Sequence, residues 1–278
     1  MNNLIYTVHF DIPKEDLDTD DIEKNIFTKK QLEKYKDKLA INKFRYSVEI
    51  DNCDFICFDD LVDLNSFSKK FKLDIPKYTI INFYKLHLLD ILAEEYDNIL
   101  YLDQDVYINT SKNMFKELDM SNISIWHENM KDKFLEYMNF YNERELYSRS
   151  YLNKCVSSYV TSFTFDWPIN YNKYNTGVIL SNKHNIKNLN IKNNLNFLVD
   201  NYNNILYNKD IPSSISSKFI LNNEAFLANI ISKEQIKVNN LDERWHHILN
   251  HSSVEQDFKE SNSHFYHLIN KKFDWLPF

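Results

Sequence analysis

Glycine is almost missing: Gly177 is the only one in a chain of 278 residues. That excludes the glycine-rich phosphate loops, GxGxxG and Walker A alike, in which several glycines let backbone close on a phosphate. A nucleotide bound here needs another phosphate holder, and a metal ion carried by carboxylates would serve. Proline is scarce too, with five residues, and the many asparagines take over turn positions because Asn tolerates left-handed backbone. The three cysteines, Cys53, Cys57 and Cys155, are odd in number and lack a CxxC pair. This argues against a disulfide framework or zinc site and fits a reducing compartment. No apolar run approaches the roughly 18 residues of a membrane-spanning helix, and no basic region precedes an apolar stretch at the N-terminus, so no signal peptide is expected. Lys and Arg are scattered under a net charge of -7, which argues against nucleic acid as a partner. The expectation is a soluble, cytoplasmic protein. No Pro-, Gly- or Ser-rich linker and no repeat divides it, so residues 1–278 are expected to form one domain. Hydrophobic content of 43% suits a large core, which takes up most of the 18 Tyr and 20 Phe.

What is there is organised around Asn98-Ile99-Leu100-Tyr101-Leu102-Asp103-Gln104-Asp105-Val106. Residues 99–102 are wholly apolar, as in a strand buried on both faces of a parallel sheet. Asp103 and Asp105 follow at its C-terminal end. Spaced by two, they would share one side of the strand and converge as charges. Burying two repelling carboxylates is costly, and a hard divalent cation carrying a phosphate removes the cost. Ligands of open α/β sheets also bind beyond the carboxyl ends of strands. Asp-x-Asp alone is a common pair, and the alternative is an acidic strand end that faces water.

The rest arranges itself around that strand. Residues 4–8 read as the first strand, ending near Asp11, which would either meet a base or ribose or cap a turn. A surface helix is expected over about 28–40, and residues 45–50 are either a strand or its end. Residues 54–58 read as a strand, and Asp59 and Asp60 as the N-terminal signal of a helix beginning at Leu61. Residues 80–92 read as a helix. The alternation of strand and helix suggests a doubly wound nucleotide-binding half over about 1–110, with an acceptor-side half over about 111–278. Beyond Asp105, residues 106–110 are mostly apolar, 111–118 read as a helix, 123–126 as a strand and 130–155 as an amphipathic helix. Gly177 stands before the apolar strand 178–180. It serves a positive φ, the close approach of a ligand, or an ordinary turn. Residues 222–231 read as a helix with a polar start. The late stretch 263–275 gathers His264, His267, Lys271, Lys272 and Trp275, and His ligates metals while Lys binds phosphates. The tail 275–278 either packs on the core or touches a membrane or partner.

In order, these pieces resemble glycosyltransferase family 8 and its relatives, nucleotide-sugar glycosyltransferases of the GT-A fold. Leu100-Tyr101-Leu102-Asp103-Gln104-Asp105 looks like the family's LYLDxD strand. Tyr174-Asn175-Thr176-Gly177-Val178 looks like its FNAGV segment, Asn223-Glu224-Ala225-Phe226-Leu227 is similar to DQDxL, and His267 with Lys272 and Trp275 to H…KPW. The resemblance implies an α/β fold with a doubly wound mixed sheet flanked by helices. Asp103, Asp105 and His267 would bind Mn²⁺ or Mg²⁺, and Lys272 would touch the diphosphate. Lys85 stands where the family often has a donor-binding Arg, and Asn175 and Gly177 would line the donor sugar. Asn223 stands where the family has an acidic residue near that sugar, with Glu224 beside it, and the late segment lacks the family's Gly and Pro. Inversion would need a carboxylate base, for which Glu224 and Asp166 are candidates; retention would need none. The implied partners are a nucleotide-sugar donor, with uridine the family's usual base, and a glycan, lipid-linked or protein acceptor. Two other readings remain. One is a haloacid-dehalogenase-type phosphatase, with Asp103 as nucleophile and Asp105 as acid/base. The other is a sugar- or nucleotide-binding protein without turnover.

Overall fold

The computed structural model describes residues 1–11, 22–73, 75–140, 150–216, 219–249 and 254–278. The chain opens with β1 (Asn3–Val8), α1 (Ile22–Val48), β2 (Cys53–Phe58), α2 (Leu61–Lys70), α3 (Lys77–Leu92), β3 (Asn98–Leu102) and β4 (Val106–Ile108). It continues through α4 (Met114–Glu117), β5 (Ile123–Asn129), α5 (Lys131–Phe140), α6 (Ser150–Thr164) and β6 (Asn172–Asn182). Five helices follow: α7 (Lys183–Leu189), α8 (Ile191–Asp200), α9 (Tyr202–Leu206), α10 (Ser213–Ser216) and α11 (Asn223–Lys233). Last come β7 (Val238–Asn240), β8 (His247–Leu249), α12 (Val254–Glu260) and β9 (Phe265–Leu268). Among the described residues, no helix is long and apolar enough to cross a membrane.

The main sheet has the order β2-β1-β3-β6-β5-β7. β2, β1 and β3 run parallel, β6 runs antiparallel to β3 and β5, and β7 is parallel to β5. The apolar run 99–102 lies at its centre with each residue at 0% exposure. Alternate residues divide between two cores: Leu4, Tyr6, Ile99 and Tyr101 join one, and Ile5, Leu100 and Leu102 the other. Such burial contributes about 1.5–3 kcal/mol per large side chain, so the strand that delivers the Asp pair is firmly anchored.

Local signals fall where expected at several ends. Asp60 caps α2, its Oδ1 accepting from Val62 N at 2.7 Å, and Asn222 caps α11. Residues 45–48 continue α1 rather than forming a strand. The expected helix 111–118 is the single turn α4, and the expected helix 130–155 is represented by α5 and α6, with 141–149 outside the described residues. The tail packs on the protein: Phe278 stacks on Tyr35 and meets Tyr107 edge-on, and Trp275 contacts Phe258.

A second sheet, β4-β9-β8, lies beyond the end of β3. Its register sets Val106 opposite His267, so a residue 162 positions downstream of Asp105 in the numbering stands beside it. Between β3 and β4 the chain makes a tight turn, with Val106 N donating to Asp103 O at 3.1 Å. Two residues of α1 hold it. Asn42 trades two hydrogen bonds with Ile108, at 2.8 and 2.9 Å, and so completes the edge of β4. The fully buried Lys43 reaches Gln104 O at 2.9 Å and Val106 O at 2.7 Å.

Burial pushes the Lys43 ammonium down to about 8, against the partial support of nearby Asp105. Unfolded, this lysine stays protonated to about pH 10.4. The unfolded state therefore binds more protons between those values, and stability gains with pH across that window, by at most about 1.4 kcal/mol per unit. Denaturant melts between pH 7 and 10.5 are expected to show wild type gaining on Lys43→Met from about pH 8 upward, and parallel pH profiles would refute this.

Candidate metal and diphosphate site

Asp103 and Asp105 do not converge as i and i+2 of a strand. Both lie in the turn after β3, and their convergence comes from the turn and from its Lys43 anchor. Asp103, Asp105 and His267 each offer a ligand atom, all within 4.8 Å of one another. His267 Nε2 lies 3.4 Å from Asp105 Oδ2 and 3.7 Å from Asp103 Oδ2. Ligand atoms around one small octahedral ion sit roughly 3–4 Å apart, so these spacings fit. Two carboxylates and one imidazole also suit Mn²⁺ or Mg²⁺ better than a thiolate-seeking metal.

Each carboxylate already has a cation. Lys85, buried in α3, donates to Asp103 Oδ1 at 2.9 Å, and the Tyr101 hydroxyl donates to the same oxygen. Asp103 Oδ2 is thus the oxygen turned toward His267. Asp105 Oδ2 is ion-paired to Lys271. Burial disfavours the Asp105 charge, but Lys271 and His267 outweigh it and hold the carboxyl well below the usual range. Burial likewise opposes the Lys271 charge, and Asp105 overcomes it, raising that ammonium.

Lys272, expected to touch the diphosphate, is exposed, and the lysine paired with Asp105 is its neighbour Lys271. Lys271 takes the left-handed backbone (φ 56°) in the turn after β9, where its N–H donates to Leu268 O. That turn sends Lys271, not its neighbour, back over the Asp pair. Two adjacent lysines gave no sign of which would point inward.

Gly177 is required for a reason different from positive φ, which it does not have. It sits where β6 loses register with β5: Ile125 faces Ile179, the next residue Trp126 faces Asn175, and residues 176–178 have no partner across. On its other side Gly177 O accepts from Asp103 N at 2.7 Å. A Cβ at Gly177 would lie 3.0 Å from His267 Nε2 and closer still to Cε1 and Nδ1. The close approach is therefore made by the protein's own imidazole. Asn175 is part of the same corner, its Oδ1 accepting from Gly177 N at 2.9 Å.

The remaining expected residues are engaged elsewhere or exposed. Asp11 is exposed and paired with Lys29 at 2.9 Å. Asn223 is buried and donates to Thr176 Oγ1 at 2.8 Å, which ties α11 to β6 next to Gly177. Glu224 is ion-paired with Lys154 of α6. Asp166 is exposed with φ 52°, in the turn that ends α6, where Trp167 N donates back to Ser162 O. Its conformation belongs to the helix end. The structure adds residues that sequence reasoning gave no role at the site: Lys43, Tyr101 and His246, whose Nε2 lies 3.0 Å from His267 Nδ1. Only the pair His246-His247 offered a visible cue.

Gly177→Ala is expected to push His267 off the carboxylates. Overpacking of this kind costs about 1–3 kcal/mol. A denaturant melt should show that loss, and a Mn²⁺ titration should show binding weakened about tenfold or more; an alanine variant with unchanged Mn²⁺ affinity would refute the assignment.

No protein-family model matches the sequence, and no curated protein does. Solved structures do match. Mouse xyloside xylosyltransferase 1 aligns over 97% of this chain and 98% of its own, at 14% identity and a TM-score of 0.51. A glycosyltransferase involved in glycosylation of the major capsid of PBCV-1 aligns over 97% and 94%, at 13% identity and a TM-score of 0.49. The galactosyltransferase LgtC, solved with donor and acceptor sugar analogues, aligns over 96% and 87%, at 14% identity and a TM-score of 0.46. A likeness to the mouse protein that runs end to end in both molecules is a likeness of fold: this chain has the GT-A fold.

Proposed function

We propose that the protein is a metal-dependent glycosyltransferase that moves a sugar from a nucleoside-diphosphate sugar, a UDP-sugar first among them, to a hydroxyl of a glycan, lipid-linked or protein acceptor. One observation carries the reading. Asp103, Asp105 and His267 converge within 4.8 Å at the end of a buried central strand, with Lys85 and Lys271 against the two carboxylates. Paired acidic groups with ammonium groups beside them are what a metal–diphosphate leaving group needs.

Asp103, Asp105 and His267 would hold Mn²⁺ or Mg²⁺. The bound ion supplies Lewis-acid stabilisation of the charge that grows on the departing diphosphate. Lys85 and Lys271 add fixed positive charge to the same end. Lys271 sits on Asp105 Oδ2, an oxygen a metal would also use, so donor binding would draw its ammonium from the carboxylate to a phosphate oxygen. Asn175 spends its Oδ1 on Gly177 and keeps its amide hydrogens for a donor hydroxyl. The residues about 1–110 supply Asp103, Asp105 and Lys85, and those about 111–278 supply His267 and Lys271, so the diphosphate would bridge the two halves. Glu224 is engaged by Lys154, so a role as base would require that pair to part.

The test is release of nucleoside diphosphate across a panel of nucleotide sugars, with Mn²⁺, with Mg²⁺ and with EDTA, for wild type and Asp105→Ala. Release from one donor that needs the metal and falls about 100-fold or more in the variant is expected, the size seen when a main transition-state stabiliser is lost. Absence of release from every donor, together with absence of metal-dependent donor binding by calorimetry, would sink the proposal.

A further inference from the structure

His267 is gripped on three sides. Its Nε2 faces the Asp pair, its ring lies over Gly177, and its Nδ1 faces His246 Nε2 at 3.0 Å. The two imidazoles are 22° from parallel with centroids 5.2 Å apart. With the short approach confined to one nitrogen of each, the rings meet edge to edge and the shared hydrogen lies close to both planes. Both residues are buried, His246 at 1% exposure and His267 at 5%. Among the described residues, the other nitrogen of His246, Nδ1, has no hydrogen-bond partner.

A neutral imidazole carries one hydrogen and one lone pair. Two arrangements of the pair therefore satisfy the inner contact. In the first, His246 Nε2–H donates to His267 Nδ1, and His267 carries its hydrogen on Nε2, toward Asp105. In the second, His267 Nδ1–H donates to His246 Nε2, and the lone pair of His267 Nε2 points at the carboxylates. The second arrangement alone offers a ligand to a cation, and without a cation it sets a lone pair against two anions. Each arrangement has the same number of hydrogens, and they differ only in which nitrogens hold them.

We infer that His246 is a positioning residue for the metal site: it accepts the Nδ1 hydrogen of His267 and so fixes the tautomer that presents Nε2 as a ligand. Metal-bound histidines usually give their second N–H to a carboxylate, carbonyl or water; here a second, buried imidazole fills that place. Because the acceptor is itself a two-state ring, the metal-free chain can rest in the first arrangement with His267 hydrogen-bonded to Asp105. The inference rests on the proposed metal site and adds a residue to it.

The experiment is calorimetric titration of Mn²⁺ alone into wild type, His246→Leu and His246→Gln, with cooperative melts to confirm folding. Loss of an outer hydrogen-bond partner typically weakens metal affinity 10–100-fold, and that loss is expected for His246→Leu. His246→Gln, whose amide oxygen can accept the same hydrogen, is expected to stay within a fewfold of wild type. Leu and Gln variants weakened alike would overturn the inference, since packing alone would then explain the effect, and so would a folded Leu variant that binds like wild type. If neither substitution yields a folded chain, imidazole nitrogen NMR of the wild type decides, read with and without Mg²⁺. A hydrogen on His267 Nδ1 in the metal-loaded protein is expected, and its absence there overturns the inference. Wild type that binds no metal at all removes the metal site, and this inference with it.

Discussion

Two carboxylates in one tight turn repel each other, by about 4 kcal/mol at 4 Å in a partly buried setting, and the architecture around β3 answers that repulsion. Lys85 reaches Asp103 from α3, Lys271 reaches Asp105 from the turn after β9, and Lys43 fastens the intervening carbonyls from α1. Three segments distant in sequence meet at one point because each brings a cation there. The three parallel strands β2, β1 and β3 and the helices between them supply the platform, and the small second sheet closes the far side by setting His267 next to Asp105.

The same corner explains the one glycine. β6 must serve two neighbours whose demands differ, β3 through the Asp103–Gly177 hydrogen bond and β5 through a register that breaks at residues 176–178. His267 fills the space that the missing side chain leaves. Thr176, next along, is bonded by Asn223, so α11 is anchored to the strand that carries the irregularity.

The frame was legible because its signals are local. The apolar run 99–102, the caps at Asp60 and Asn222 and the acidic pair all act within a few residues, and α3 and β3 fall where periodicity puts them. Asp103, Asp105, His267 and Lys85, which only the family resemblance had linked, lie together. What could not be read depends on turns and pairings that sequence spacing does not encode. Lys271 rather than Lys272 reaches Asp105 because of one left-handed residue. Residues 45–48 stay helical because Tyr46 and Ser47 are buried there. Lys43 is buried because two carbonyls await it, though a lone lysine on a charged helix reads as surface. Asp11 and Glu224 found other cations first.

The site also has an order of assembly. Asp105 and Lys271 are 166 residues apart, while Lys43 and Lys85 precede the turn they serve. On a chain emerging from the ribosome, the turn can gain its carbonyl anchor and its first counter-charge as soon as β3 has formed. Its second counter-charge and its histidine wait for β9. Until then the acidic pair is only half neutralised and Asp105 stands without its ion-pair lysine at an unfinished edge, so β9, which carries only one short strand's worth of backbone pairing on each side, has an electrostatic partner waiting when it is made.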